Sequence, residues 1–164
     1  MSDLIVRRAD PADYASAGAV TLAAYQPFTG DAADDDYVAR LADAASRDVE
    51  AELWVATSGE GTVLGCVTIC PPGSRWREIA RDDEGEFRML AVSPDAQGRG
   101  VGRALVDLVL DRFRSDGASA VALSSLREMT AAHRLYERLG FTRLPERDWK
   151  PRPDVDLIAF RRSL

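Results

Sequence analysis

The run Leu90-Ala-Val-Ser-Pro-Asp-Ala-Gln-Gly-Arg-Gly-Val-Gly-Arg-Ala-Leu105 reads as a strand, a glycine-rich turn and the opening of a helix, an order of elements that makes an anion site. Gly98, Gly100 and Gly102 remove side chains where the backbone must come close to a ligand. The helix that follows starts with N–H groups that have no intrahelical acceptor and with the positive end of its dipole. A phosphate or pyrophosphate is the natural occupant. Two familiar phosphate motifs fail on the letters. A P-loop needs Gly-Lys-Ser/Thr, and here Gly102 is followed by Arg103 and Ala104. The dinucleotide fingerprint needs a third glycine or alanine that neither register of Gly-x-Gly supplies. What remains is Gln97-Gly98-Arg99-Gly100-Val101-Gly102-Arg103. Arg99 and Arg103 sit where they could meet phosphates; the alternative, two solvated arginines, stays open in a chain with 21 basic residues of which only Lys150 is a lysine.

The elements around this turn alternate. Leu4 to Arg8 reads as a strand, and Asp10-Pro11 as an N-cap with proline at the first helical position, starting a helix through Ala24. A second helix is expected over Asp35 to Ser46, inside or after the acidic cluster Asp34-Asp35-Asp36, which reads as a helix start. Leu53 to Thr57 and Thr62 to Cys70 form strands around the Gly59-Glu60-Gly61 turn, and Pro71-Pro72-Gly73 ends the pair. Glu86 to Val92 is the central strand. Gly102 to Phe113 is the crossover helix, with Leu105, Val106, Val109, Leu110 and Phe113 at helical spacing. Ala118 to Leu123 should lie parallel to the central strand, since a helix separates them. Thr130 reads as the N-cap of a helix over Ala131 to Leu139 that Gly140 ends, and Phe141 to Arg147 with Val155 to Arg161 as a final hairpin. The fold class is therefore α/β with a mixed sheet, in the order βααβββαβαββ.

Length and charge limit the function. The 164 residues, 46% of them apolar, suit one domain over 1–164. No apolar run approaches the roughly 18 residues of a membrane span, and Met1-Ser2-Asp3-Leu4 lacks the start of a signal peptide, so the expected location is the cytoplasm with no membrane partner. A net charge of −6 argues against nucleic acid, whose nonspecific binding needs a basic surface. Cys66 and Cys70 fall in one expected strand, about 13 Å apart, too far for a disulfide. With His133 as the single histidine no zinc set is complete, and no metal is expected.

Gln97-x-x-Gly100-x-Gly102 resembles the acyl-CoA signature of the GCN5-related N-acetyltransferase (GNAT) family, and Ala132-His-Arg-Leu135-Tyr136-Glu-Arg-Leu-Gly140-Phe141 resembles that family's other characteristic segment, in the right order. The likeness is close from about Glu86 to Leu144. It implies that acetyl-CoA is the acyl-donor cosubstrate, its pantetheine arm bonding to the backbone of Leu90, Ala91 and Val92 and its pyrophosphate to the amides of Gln97 to Gly102. A backbone N–H of Leu90 or Val92 would meet the developing oxyanion. Tyr136 matches the tyrosine that stands beside the coenzyme sulfur, and a phenol is a credible proton donor to the departing thiolate. Tyr136 also lies on the apolar stripe of its helix, so packing is part of its role. Glu86 stands where many members carry the glutamate that takes the amine's proton, with Glu84 as a rival. His133 reads as a solvated residue. Where the family often has asparagine, this chain has Met129.

The expected activity is acetyl transfer to a primary amine. The acceptor, a small molecule or a peptide, would sit against the Tyr25 to Asp36 loop, the Ser74 to Gly85 loop and the last hairpin with Trp149. Acetylation of a protein N-terminus or lysine is an alternative, and a non-catalytic acyl-CoA-binding sensor is another. Self-association into a homodimer stays open.

Overall fold

The computed structural model describes residues 3–29 and 35–164. After β1 (Ile5–Arg8), a turn of 3-10 helix (Pro11–Asp13) leads into α1 (Tyr14–Thr29), α2 (Asp35–Ala42) and α3 (Ala44–Glu50). Strands β2 (Glu52–Thr57), β3 (Val63–Cys70) and β4 (Glu84–Val92) follow, then α4 (Val101–Ser115), β5 (Ala120–Leu126), α5 (Thr130–Arg138), β6 (Thr142–Arg143), β7 (Trp149–Arg152) and β8 (Val155–Ser163). The sheet runs β1-β2-β3-β4-β5-β8-β6, with β7 paired to β8. Among the described residues only β4 and β5 pair in parallel, across the α4 crossover.

Both faces of the sheet are covered, which is why β3 is buried along almost its whole length instead of alternating. On one face Leu105, Val106, Val109, Leu110 and Phe113 of α4 pack with Val67, Ile69, Phe87, Val121 and Leu123. On the other, Ala17 of α1 and Ala44 of α3 pack against Leu53, Val55, Cys66 and Ala91. Cys66 and Cys70 are free, buried thiols, and burial pushes Cys70 up to about 12.

Four elements depart from the sequence pattern. Helix α1 continues past Ala24 and through Pro27 to Thr29, because a proline within a turn of a helix end removes only one donor from the ladder. The helix expected over Asp35 to Ser46 breaks at Asp43, whose carboxylate accepts the Ser46 amide (3.1 Å) and hydroxyl (2.6 Å) and so caps a new helix. Met129, not Thr130, occupies the cap of α5, and its side chain makes no capping bond. The last hairpin is three strands: Phe141 to Arg147 gives only the short β6 and a 3-10 turn, and Trp149–Arg152 adds β7. The order is thus βαααβββαβαβββ. Of the Asp34-Asp35-Asp36 cluster, Asp35 and Asp36 form the first turn of α2, and Asp34 lies outside the described residues.

Among the described residues no helix is long and apolar enough to cross a membrane, and no group of three or more His, Cys, Asp or Glu side chains is placed to hold a metal ion.

Candidate active site

The parallel pairing of β4 with β5 lasts three residues, Glu84↔Ala120 to Glu86↔Ala122. Each strand then goes on with its other neighbour: β4 with β3 as far as Gly65↔Val92, and β5 with β8 as far as Leu126↔Leu157. A bulge contributes to the parting. The β3 to β4 register shifts between Cys66 and Thr68, opposite Met89, which takes a left-handed conformation at φ 52°. Such a residue bends its strand and turns it from its neighbour.

A cavity of about 380 Å³ lies at this opening. Its walls include Phe87 to Leu90 of β4, Leu123 to Leu126 of β5, Tyr25 and Phe28 of α1, Tyr37 and Arg40 of α2, Glu78, and Arg152 of β7. Met129 and Tyr136 close it from α5. The Ser74 to Gly85 loop therefore reaches the cavity through Glu78, and the Tyr25 to Asp36 segment through the ends of two helices. Residues Gly30 to Asp34 of that segment lie outside the described residues. Trp149 is not in the wall; its indole donates to the Ser124 hydroxyl (3.1 Å) just behind it.

Tyr136 is 4% exposed and sits among Phe87, Phe141 and Phe160, with ring centroids 5.7–6.0 Å away. Burial, with a smaller contribution from Tyr25, pushes its phenol above the ordinary range, so it holds its proton at any neutral pH. Among the described residues its hydroxyl has no hydrogen-bond partner. His133, expected in solvent, is buried: its Nε2 lies 3.0 Å from both the Ser125 hydroxyl and the Leu126 carbonyl, and its ring stacks at 5.1 Å on Phe160. Burial lowers its basicity. It ties the helix carrying Tyr136 to the diverging end of β5.

The three glutamates near the start of β4 have three different environments. Glu86 is fully buried, outside the cavity wall, and its carboxylate accepts the backbone amides of Glu78, Ile79 and Ala80 at 2.9–3.1 Å. Glu86 therefore lies behind the cavity lining, and its expected part as acceptor of the amine's proton rests on the resemblance to the family. Glu84, the rival, accepts from Arg147 (2.6 Å), Arg161 (2.7 Å) and the Arg81 amide (3.0 Å). Burial alone would raise it, but these partners outweigh burial and hold it down at about 2. Glu78 was missed by the sequence reading. It faces the cavity, pairs with Arg88 (Nε to Oε1, 3.0 Å), and burial, opposed by Arg88 and reinforced by Glu86, raises it to about 7.

The glycine turn follows β4 directly. Gly98 and Gly100 have φ of 78° and 79°, the left-handed region that glycine enters without cost, and a Cβ added at either would meet no protein atom within 4 Å. Gly102 differs: it is already helical, and a Cβ there would lie 3.1 Å from Leu135 and 3.6 Å from Val92, so its smallness lets α4 approach α5. The first α4 amide on a helical acceptor is that of Ala104, on the Gly100 carbonyl (3.0 Å), which leaves those of Val101, Gly102 and Arg103 as the free donors of the helix start. Gln97, Arg99 and Arg103 are exposed; Arg103 lies 3.8 Å from Asp107. Val101 is a core residue, and of Leu90, Ala91 and Val92 only Leu90 reaches the cavity wall. The open strand edges and the amide-lined turn fit an extended ligand with a pyrophosphate at one end.

Residues 20–141 match the model of the acetyltransferase (GNAT) family. Among curated proteins, a mycothiol acetyltransferase of Geodermatophilus obscurus is 47% identical over 102 residues, covering 57% of this chain and 32% of that protein. One of Cellulomonas flavigena is 39% identical over 112 residues, covering 63% of this chain and 32% of that protein. The chain thus spans about a third of the length of these relatives. Among solved structures, a GNAT acetyltransferase of Staphylococcus aureus superposes with a TM-score of 0.77 at 13% identity over 99% of both chains. The Salmonella typhimurium protein yncA, solved with its cofactor acetyl-CoA, gives a TM-score of 0.69 at 25% identity, covering 99% of this chain and 95% of that one.

Proposed function

The chain belongs to the GNAT acetyltransferase family, and from that premise we propose that it transfers the acetyl group of acetyl-CoA to the primary amine of a small molecule. The observation that carries the proposal is the parting of β4 from β5 after Glu86↔Ala122, with Tyr136 in the wall of the gap. Strand edges without a partner are where an extended amide-bearing arm adds as a further strand, and the relatives named mycothiol acetyltransferase favour a small acceptor over a protein one. A cytoplasmic location suits this chemistry, and the net charge of −6 disfavours nucleic acid as a partner.

Acetyl-CoA supplies the acetyl group as a thioester, activated by a good leaving group. In this reading the amides from Gly98 to Arg103 hold its pyrophosphate and the backbone of Leu90 to Val92 its arm, with an N–H there facing the carbonyl oxygen as negative charge develops. The amine nitrogen forms the C–N bond as the C–S bond breaks. Tyr136 gives its proton to the departing sulfur and recovers one from the new ammonium nitrogen. A phenol raised by burial is a weak acid, so the coupled return of a proton is what makes the transfer feasible.

The test is a panel of primary amines, amino acids and peptides incubated with acetyl-CoA, with release of free thiol as the readout. Turnover confined to small amines is expected; turnover confined to peptides would replace the small acceptor by a protein one. Separately, Gly100→Val forces a β-branched residue into a left-handed conformation in the open space before α4. Calorimetric binding of acetyl-CoA should be lost with far-ultraviolet dichroism retained. Unchanged affinity in the folded variant would remove the pyrophosphate site from this reading.

A further inference from the structure

One wall of the cavity is a short helix. Helix α2 has eight residues, too few to be stable alone, and of its side chains only that of Leu41 is buried, yet Tyr37, Arg40 and Leu41 all line the cavity. Its C-terminal end is fastened by Arg47 of α3, a fully buried arginine that among the described residues pairs with no carboxylate. The Nη1 of Arg47 donates to the carbonyls of Arg40 (3.0 Å), Leu41 (3.2 Å) and Asp43 (3.4 Å), and its Nη2 to the Thr21 hydroxyl of α1 (3.3 Å). The last carbonyls of a helix lack intrahelical donors and carry the negative end of its dipole, so a guanidinium there supplies both donors and counter-charge. Helix α3 is in turn fixed to the sheet: Asp48 accepts the Leu53 amide of β2 (2.8 Å) and the Tyr14 hydroxyl of α1 (2.6 Å). The joint is also tight. A Cβ on Gly18 of α1 would lie 2.0 Å from the Ala42 carbonyl oxygen, so α1 and the end of α2 meet backbone to backbone.

We infer that Arg47 is a positioning residue for the acceptor: by fixing the end of α2 to α1 and α3, it sets where Tyr37 and Arg40 stand in the gap and so how well the amine is held. The inference rests on the acetyl-transfer reading, in which the groups given to acetyl-CoA lie on β4, the glycine turn and the start of α4. Helix α2 supplies none of them. A shift of α2 therefore reaches the acceptor and leaves the coenzyme where it is. From the joint, α1 and α2 run side by side in opposite directions, from Gly18 to Tyr25 and from Ala42 to Tyr37, and both tyrosines are in the cavity wall. Ala42 and Tyr37 are about 7.5 Å apart along the helix axis, so a small tilt at the joint is carried to the Tyr37 ring. The choice of residue points the same way. A buried cation costs free energy that an apolar side chain would not, and what the apolar side chain cannot do is hold three carbonyls and a hydroxyl of other segments at once.

The experiment follows thiol release from acetyl-CoA with phenethylamine, glucosamine and lysine as the probe amines, each substrate varied in turn, for the parent chain, Arg47→Met, Arg47→Lys and Gly18→Ala. Arg47→Met keeps an unbranched side chain and loses the donors. It should raise KM for the amine about tenfold, the size of one charged hydrogen bond weakened, while KM for acetyl-CoA stays within about twofold of the parent. Arg47→Lys keeps the charge without the planar fork, and its amine KM should fall between the two. Gly18→Ala drives the end of α2 off α1 and should reproduce the pattern with Arg47 untouched. Thermal melts identify the variants that are folded at the assay temperature, and those decide. An amine KM equal to the parent's in them overturns the inference and leaves acetyl transfer standing, as does a rise by the same factor in both KM values. Failure of all three variants to fold also overturns it, since the joint would then hold the whole molecule and not one wall. A parent chain that releases no thiol with any of the three amines, and none in the wider panel, overturns acetyl transfer itself.

Discussion

Tyr136→Phe is expected to lower kcat by about 10²-fold, the size of a lost general acid, with little change in the affinity for acetyl-CoA. The substitution isolates one atom. The ring packs against Phe87, Phe141 and Phe160, and phenylalanine keeps those contacts. The hydroxyl that is lost has no hydrogen-bond partner among the described residues, so its removal strands no donor or acceptor inside the protein. Melting temperature should therefore stay within a few degrees of the parent, and a fall in kcat cannot be blamed on the fold. Steady-state kinetics at saturating acetyl-CoA decide the matter. Full activity in the variant would reduce Tyr136 to a core aromatic and leave the sulfur to take its proton from water.

Glu84→Gln should show the largest loss of stability of any substitution near the site. Glu84 is 3% exposed and joins the start of β4 to Arg147 in the turn before β7, to Arg161 on β8 and to the Arg81 amide. Removing one charge from a buried network leaves the others uncompensated, at a typical cost of about 3–5 kcal/mol. In a chain of this size that is roughly 10 °C in Tm. The pH dependence has a definite sign. The carboxyl lies at about 2 in the folded protein against 4.5 for an unperturbed glutamate, so its contribution is fully present above 4.5 and is lost as pH falls from there toward 2. The shift corresponds to about 3 kcal/mol. Thermal unfolding between pH 7 and pH 3 should be steep for the parent and flatter for the variant across the acid part of that range. Parallel curves for the two proteins would show that the arginines add nothing.

The parts of this site that are written in backbone terms were legible in the sequence, and those written in environment were not. Gly98 and Gly100 sit in left-handed conformations that few other residues tolerate, so their letters alone announce the turn. Leu105, Val106, Val109, Leu110 and Phe113 repeat at helical spacing and proved to be the buried face of α4. Glu78, Glu84 and Glu86, by contrast, are the same letter within nine positions. Which of them is enclosed by amides, which is gripped by arginines and which faces the cavity depends on residues up to 77 positions away. No local pattern carries that information. His133 was misread for a related reason: its partners, Ser125 and Leu126, lie in a strand whose length was underestimated by three residues at that end. Asp43, in retrospect, had a signal. Asp43-x-x-Ser46 is a helix-start pattern inside what looked like one continuous helix.

The three-residue pairing of β4 with β5 also bears on what can enter the gap. An open strand edge is ordinarily a hazard, because any other chain can add to it and begin an aggregate. By parting in the middle of the sheet, this protein creates two such edges at the wall of the cavity. Tyr25, Phe28, Tyr37 and Arg152 stand around them, and the outer strands of the sheet are the short β1 and the two-residue β6. A slender, flexible chain with amides along its length can thread between those side chains. A β-strand of another protein, with substituents on both faces, would meet those side chains along its length.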